Sequence, residues 1–357
     1  MPLIVESAGG RVIWAGGRLC PPDRRFEGVD ASVPCIEVAL VNNMPDLALE
    51  DTELQFFELL NAASENVLVR LRLFSLPHIP RSELTQQRLR AVYYDRSDLW
   101  NSRFDAVIIT GMEPRHSDLR QEPYWPAMTE VLDWAQENTL SAVLSCLAAH
   151  ASVLHNDGVT RYPLPDKQFG VFELRKVSEH ALTSRTEERL RFPHSRCNEV
   201  RAAALTWSGY SILTQSTDRS VDLFVKKMRK SFFAHFQGHP EYGTRTLLKE
   251  YRRDIRRFLK QERPTYPSIP QGYFDAASTK LLADFRRDAL ANRSVELMAN
   301  FPEALVCGSL RNTWSLLATR IYSNWLQYVM SRKTETLALP VAAVTGHASA
   351  SCLPLAK

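Results

Sequence analysis

Four short apolar runs, each closing on a small or polar residue, constrain the fold of this chain more than any other feature. They are "CIEVALVNN" (35–43), "VLVRLRLFSL" (67–76), "FDAVIITGM" (104–112) and "LSAVLSC" (140–146). Each has the length and composition of a buried strand. Two segments between them carry helical spacing. "LEDTELQFFELLNAA" (49–63) places Leu54, Phe57 and Leu60 on one face, with acidic residues in its first turn. "WPAMTEVLDWAQEN" (125–138) is amphipathic in the same way. Strands and helices in this rhythm specify an α/β fold, a parallel sheet with helices on both faces. Ligands bind such sheets outside the carboxyl ends of the strands. Asn42, Asn43, Thr110–Gly111 and Cys146 all stand at strand C-terminal ends, so this pattern gathers them along one edge.

The second half continues in kind. "YSILTQS" and "DLFVKK" read as a hairpin, and "SFFAHFQGHPEY" (231–242) as a strand running into "HPEY". A helix is expected from about 244 to 260, a proline-rich loop at 263–275, and helical additions at 277–299 and 312–331. Residues 1–34, rich in Gly, Pro and Arg, read as an irregular N-terminal arm, 35–333 as one domain, and 334–357 as a disordered tail. Neither an internal repeat nor a Gly-rich phosphate loop is visible.

Composition narrows the partners. The net charge of +4, from 44 basic and 40 acidic residues in 357, gives no reason to expect nucleic acid. Arginine carries most of the positive charge, and no lysine precedes Lys167. Six cysteines without a CxxC pair form neither a disulfide framework nor a zinc site by spacing, so no metal is expected. The N-terminus lacks a signal peptide's basic start and apolar run, and no stretch has membrane-spanning length. A cytoplasmic protein with reduced thiols is the expectation.

Cys146 stands where a buried strand becomes a helix, in "AVLSCLAAHAS" (142–152). A thiol on such a turn meets the positive end of the helix dipole, which favours its thiolate. A free cysteine is also a common small core residue. "GHPEY" supplies what a nucleophile needs: in an extended segment residues i and i+2 face one way, so His239 and Glu241 point together. A thiol needs a base, and the base a carboxylate to hold its tautomer. His239 reads equally as a core histidine and Glu241 as a helix N-terminal carboxylate. Spacing alone leaves triad and packing evenly open.

Five motifs in order, "VNNMPD" (41–46), "RYPLPDKQFGVFE" (161–173), "PHSR" (193–196), "GHPEY" (238–242) and "NTWSLLATRIYSNWLQY" (312–328), resemble the homoserine O-succinyltransferase family. That family also includes acetyltransferases and has a flavodoxin-like, class I glutamine amidotransferase-like fold. The resemblance implies that Cys146 takes an acyl group from acyl-CoA, with His239 as general base and Glu241 as its orienting partner. It places an oxyanion hole at the N–H of Leu147 and one from the Asn42–Asn43 turn, and substrate contacts at Lys167, Ser195 and Arg253. It further implies an O-acyl amino acid product suited to methionine biosynthesis. The partners implied are acyl-CoA, as co-substrate rather than resident cofactor, and an amino acid, with a homodimer as the expected assembly.

This chain also departs from the family pattern. Relatives carry a lysine after the "NxMP" turn, where Asp46-Leu47 stand here, and Trp and Gln around the nucleophile, where this chain has Leu147-Ala148-Ala149-His150. The position that is Gly for succinyl and Glu for acetyl donors is Arg115, in "TGMEPR". A cation there favours an acidic acyl chain, so succinyl is the expected donor. The alternatives are an acetyltransferase, a glutamine amidotransferase-like hydrolase with the same triad, and a non-catalytic binding protein.

Overall fold

The computed structural model describes residues 3–21, 33–65 and 67–338. Three short strands come first: β1 (Leu3–Glu6), β2 (Val12–Ala15) and β3 (Arg18–Leu19). The expected α/β rhythm follows: β4 (Cys35–Val41), α1 (Asp46–Ala63), β5 (Leu68–Phe74), α2 (Glu83–Val92), α3 (Arg96–Asn101), β6 (Ala106–Ile109), α4 (Trp125–Asn138), β7 (Ser141–Ser145) and α5 (Leu147–Asp157). Two long strands, β8 (Tyr162–Lys176) and β9 (Arg189–Glu199), precede α6 (Ala202–Trp207), β10 (Ser211–Ile212), β11 (Thr214–Ser216), β12 (Leu223–Met228) and β13 (Ser231–Phe236). Helices α7 (Thr246–Leu259), α8 (Ala276–Ala291), α9 (Glu303–Ser309) and α10 (Ser315–Ala338) close the described chain.

The main sheet has the order β10-β12-β13-β7-β6-β4-β5-β1-β2-β3. Its six central strands, β13 to β1, pair in parallel, and the edges on both sides are antiparallel. Central parallel strands are covered on both faces, which is why they read as continuous apolar runs. Val38 and Leu40 face a core with Phe56 and Phe57 of α1 and Trp325 of α10. Ala39 and Val41 face a second core with Met128 of α4 and Val153 of α5. A separate sheet, β11-β8-β9, is antiparallel.

Several expectations need correcting. The N-terminal arm is not irregular throughout: β1 adds to the sheet beside β5, and "LIVE" and "VIWA" are simply too short to show a period. The segment 211–216 is not one hairpin arm, because Ser211–Ile212 pairs with β12 while Thr214–Ser216 pairs with β8. Helix α8 ends at Ala291, short of 299, and α10 runs on through 334–338; the rest of the expected tail, 339–357, lies outside the described residues. Among the described residues no helix is long and apolar enough to cross a membrane.

Helix α10 braces the sheet: Trp325 is fully buried and its Nε1–H donates to Ser141 Oγ of β7 at 2.9 Å. Truncating a buried tryptophan costs roughly 3–5 kcal/mol, while a surface change is usually within about 0.5 kcal/mol. Trp325→Ala should therefore lower unfolding free energy in a urea titration by roughly 3–5 kcal/mol. Trp207→Ala, at a side chain 93 % exposed, should leave it nearly unchanged.

Candidate active site

The chain turns sharply between β7 and α5, and Cys146 sits on the turn with φ 52° and ψ −109°. A non-glycine residue in such a conformation carries strain on the order of 1–3 kcal/mol, held by its surroundings. Here Cys146 N–H donates to Phe236 O of β13 at 2.7 Å, and its own carbonyl accepts from Ala149 N–H at 3.0 Å. The strained strand-to-helix turn lifts the side chain out of the sheet, as nucleophile turns do.

Parallel pairing of Phe236 with Ser145 brings the end of β13 alongside. Three residues later the His239 imidazole lies beside the Cys146 side chain. Its Nδ1 is 2.9 Å from Glu241 Oε1, which also accepts from Ser145 Oγ at 3.1 Å. His239 and Glu241 converge as expected, but not through an extended segment. The backbone turns at 240–241, and Tyr242 N–H bonds back to His239 O at 3.2 Å. Tyr242 then stacks on the imidazole, centroids 4.2 Å apart and planes 17° from parallel. Burial alone would push the imidazole down; the charges of Cys146 and Glu241 outweigh it and hold His239 well above its ordinary range. An imidazole held between a thiol and a carboxyl group is the arrangement a nucleophilic cysteine requires.

Only half of the expected oxyanion hole survives. Leu147 is the first residue of α5, where helical N–H groups have no intrahelical partner and the dipole favours an anion. Asn42 N–H, however, is bonded to Phe74 O at 2.8 Å, and Asn43 N–H to Thr110 Oγ1 at 2.8 Å, so neither is available. Asn43 instead braces the strand ends, with its side chain bonding Thr110 O and Leu76 N–H. The loop after β6 is what lies beside Leu147. A Cβ at Gly111 would stand 2.9 Å from Leu147 N, so glycine alone leaves that N–H open. The Thr110–Gly111 strand end was visible in the sequence, but not which donors were already engaged.

Lys167, Ser195 and Arg253 do come together, around two acids that sequence reasoning missed. Lys167 Nζ is 3.2 Å from Asp254 and 3.6 Å from Glu250, and Arg253 is 3.0 Å from Asp254. Ser195 Oγ donates to Glu250 Oε2, and Tyr242 O–H donates to Glu250 Oε1 at 2.5 Å. Glu250 thus links this cluster to the ring stacked on His239. Burial would push the Asp254 carboxyl up, but Lys167 and Arg253 outweigh it and hold the group below its usual range.

Arg115 stands apart. It is exposed, has no ion-pair partner among the described residues, and lines a cavity of about 340 Å³ with Asn43, Met112, Glu122 and Tyr124. Its loop is held from both sides. Buried Glu122 accepts from the N–H groups of Arg115 (2.5 Å) and His116 (2.7 Å), and Arg161 donates to the carbonyls of His116 and Ser117 at 2.9 Å. Asp46, where relatives carry lysine, accepts from Ser82 N–H at 2.7 Å and lies 3.4 Å from Arg81. No cluster of metal-ligating type occurs among the described residues.

With this geometry established, likeness to known proteins is informative. The family model of homoserine O-succinyltransferase matches residues 27–336. A homoserine O-succinyltransferase of Rhodopseudomonas palustris is 45% identical over 305 residues, 85% of this chain and 90% of its own length. One from Methylorubrum extorquens is 41% identical, covering 83% and 88%. Among solved structures, a glutamine amidotransferase from Thermotoga maritima aligns with a TM-score of 0.44 at 12% identity, over 82% of this chain and 98% of that one.

His239 and Glu241 should differ in severity when removed. A positioned general base contributes on the order of 10²–10⁴-fold, so His239→Ala should lower kcat by that range. Glu241→Gln keeps the Nδ1 contact but not the charge, and should lose less. Equal kcat in wild type and His239→Ala would contradict the assignment.

Proposed function

The chain belongs to the homoserine O-succinyltransferase family, and we propose that it moves a succinyl group from succinyl-CoA to the hydroxyl of homoserine through a thioester on Cys146. The observation that carries this reading is the strained turn holding Cys146 beside His239, itself oriented by Glu241. The Cys146 thiolate attacks the thioester carbonyl, and the negative charge develops on the carbonyl oxygen, next to Leu147 N–H. Collapse of that intermediate breaks the bond to sulfur of coenzyme A, which leaves with the proton from His239. Neutral His239 then takes the proton of the homoserine hydroxyl as its oxygen attacks the acyl-enzyme. Cys146 leaves as thiolate, and the imidazolium is restored.

The donor forms the acyl bond to the Cys146 sulfur and releases coenzyme A before the acceptor breaks that bond, so the kinetics are ping-pong. Labelled coenzyme A should therefore exchange into succinyl-CoA without homoserine. Absence of that exchange in active enzyme would contradict the thioester. Lys167 of β8, Ser195 of β9 and Arg253 of α7 sit together, and the two cations with the serine hydroxyl support binding of the zwitterionic amino acid there. The product is an O-acyl amino acid with an activated leaving group, the kind of intermediate that methionine biosynthesis uses, and the setting proposed is the cytoplasm.

Arg115 supports succinyl as the acyl group. A guanidinium without an ion-pair partner among the described residues, on a loop held by Glu122 and Arg161, offers a charge-assisted bond to a carboxylate. A surface pair would contribute only about 0–1 kcal/mol, and a desolvated one more. Succinyl-CoA should outcompete acetyl-CoA in kcat/KM, and Arg115→Glu should reverse the order. A wild-type preference for acetyl-CoA would sink the donor assignment and leave the triad standing.

A further inference from the structure

Behind the loop that carries His239 lies a buried charged group that the reaction above does not use. Asp222, immediately before β12, is fully buried. Its Oδ1 accepts from Gly238 N–H at 2.9 Å, its Oδ2 from Thr214 Oγ1 at 3.2 Å, and its main-chain carbonyl from Gln237 N–H at 3.0 Å. The next N–H, that of His239, goes to Pro193 O of β9 at 2.8 Å. Three consecutive donors therefore dock residues 237–239 against Asp222 and β9. His194, beside Pro193, is also buried. Its Nδ1 lies 3.3 Å from Arg196 Nε, which can only donate, so Nδ1 accepts and the ring proton sits on Nε2. Nε2 lies 3.5 Å from Asp222 Oδ1 and has no hydrogen-bond partner among the described residues. A Cβ at residue 238 would stand 2.7 Å from Asp222 Oδ1 and 2.9 Å from His194 Nε2. Only glycine lets the catalytic loop lie so close.

We propose that Asp222 is a positioning residue for His239: backed by His194 and Arg196, it fixes the loop and sets a second buried negative charge, besides Glu241, behind the imidazolium. This role rests on Cys146 and His239 acting as nucleophile and base. The titratable and charged groups around Asp222 are His194 and Arg196 of β9 and His239 of the loop. Burial pushes the Asp222 carboxyl up to about 6, against the opposing pull of Gly238 N–H, Thr214, Arg196 and His239. Desolvation holds His194 well below its ordinary range, so the ring stays neutral and relays no charge of its own.

The test is Asp222→Asn in the full chain, since the amide oxygen can still accept from Gly238 N–H and the amide NH2 can donate to Thr214 Oγ1, while the charge is lost. The readout is the rate at which iodoacetamide alkylates Cys146 as a function of pH, followed by peptide mass, with kcat and KM for acyl transfer in parallel. Loss of one pKa unit of charge stabilisation is tenfold, so alkylation and kcat should fall roughly three- to tenfold between pH 6 and 8 with KM unchanged. A step in the wild-type profile is expected near pH 6, where Asp222 titrates, and should be absent from the variant. A purely structural role would act on stability instead, and there the sign is opposite. A carboxyl raised on folding opposes the folded state from its unfolded value upward, in full above its folded value of about 6, so Asp222→Asn should melt no lower than wild type at pH 8. His194→Phe, which keeps the ring and removes its nitrogens, is the second variant and should move the step to higher pH. Wild-type rates and pH profile in either folded variant overturn the proposal. Altered alkylation in a protein that transfers no acyl group would overturn the function and leave the positioning role standing.

Discussion

The parallel pairing of β7 with β13 is the constraint on which the site depends. It sets Ser145 against Phe236, and the next amide, Cys146 N–H, then bonds Phe236 O at 2.7 Å. That bond holds the turn in a conformation the chain would otherwise avoid. It also fixes where β13 ends relative to the thiol, so the loop after it reaches Cys146 within three residues. Both strands are buried on both faces, and their position is as rigid as the core behind them. Cys146 and His239 thus follow the ends of neighbouring rigid strands.

Charge is what this scaffold then has to manage. Around Cys146 lie an imidazolium, the N-terminus of α5, and the guanidinium groups of Arg161 and Arg196, both pulled below their usual range by burial and pulled back by negative groups that include Cys146. Against them stand Glu241 and Asp222. Buried charges of one sign alone would be prohibitive, and alternation makes the cluster tolerable. The same alternation recurs where Lys167 and Arg253 meet Glu250 and Asp254. Tyr242 joins the two clusters, stacking on His239 while its hydroxyl reaches Glu250. Trp314 Nε1–H holds Tyr242 by its carbonyl at 2.7 Å, so the C-terminal helices contribute to the site as well as to the core.

Much of the central sheet was legible because double-sided burial forces long apolar runs. The strands β8 and β9 were not, because half-exposed strands with prolines and charges, as in "YPLPDKQFGVFELRK", show no clean period. The edge strands β1 to β3 were hidden by brevity. Cys146, His239 and Glu241 stood out as residue types at strand ends, although a turn rather than an extended segment joins the last two. Asn43 was misjudged as an oxyanion donor because a sequence lists N–H groups without saying which are already bonded. Glu250, Asp254 and Asp222 were missed for a related reason. An acidic residue in a polar helix or at a strand start looks like solvated surface until tertiary contacts bury it beside a cation or a backbone donor.

The claim that the convergence of Cys146, His239 and Glu241 makes a covalent acyl carrier is tested most directly by intact-mass measurement of the protein mixed with succinyl-CoA and no acceptor. The expected result is a single added succinyl group on wild type that homoserine discharges, and no adduct on Cys146→Ala. Full labelling of Cys146→Ala, or an adduct that homoserine leaves in place, would contradict it.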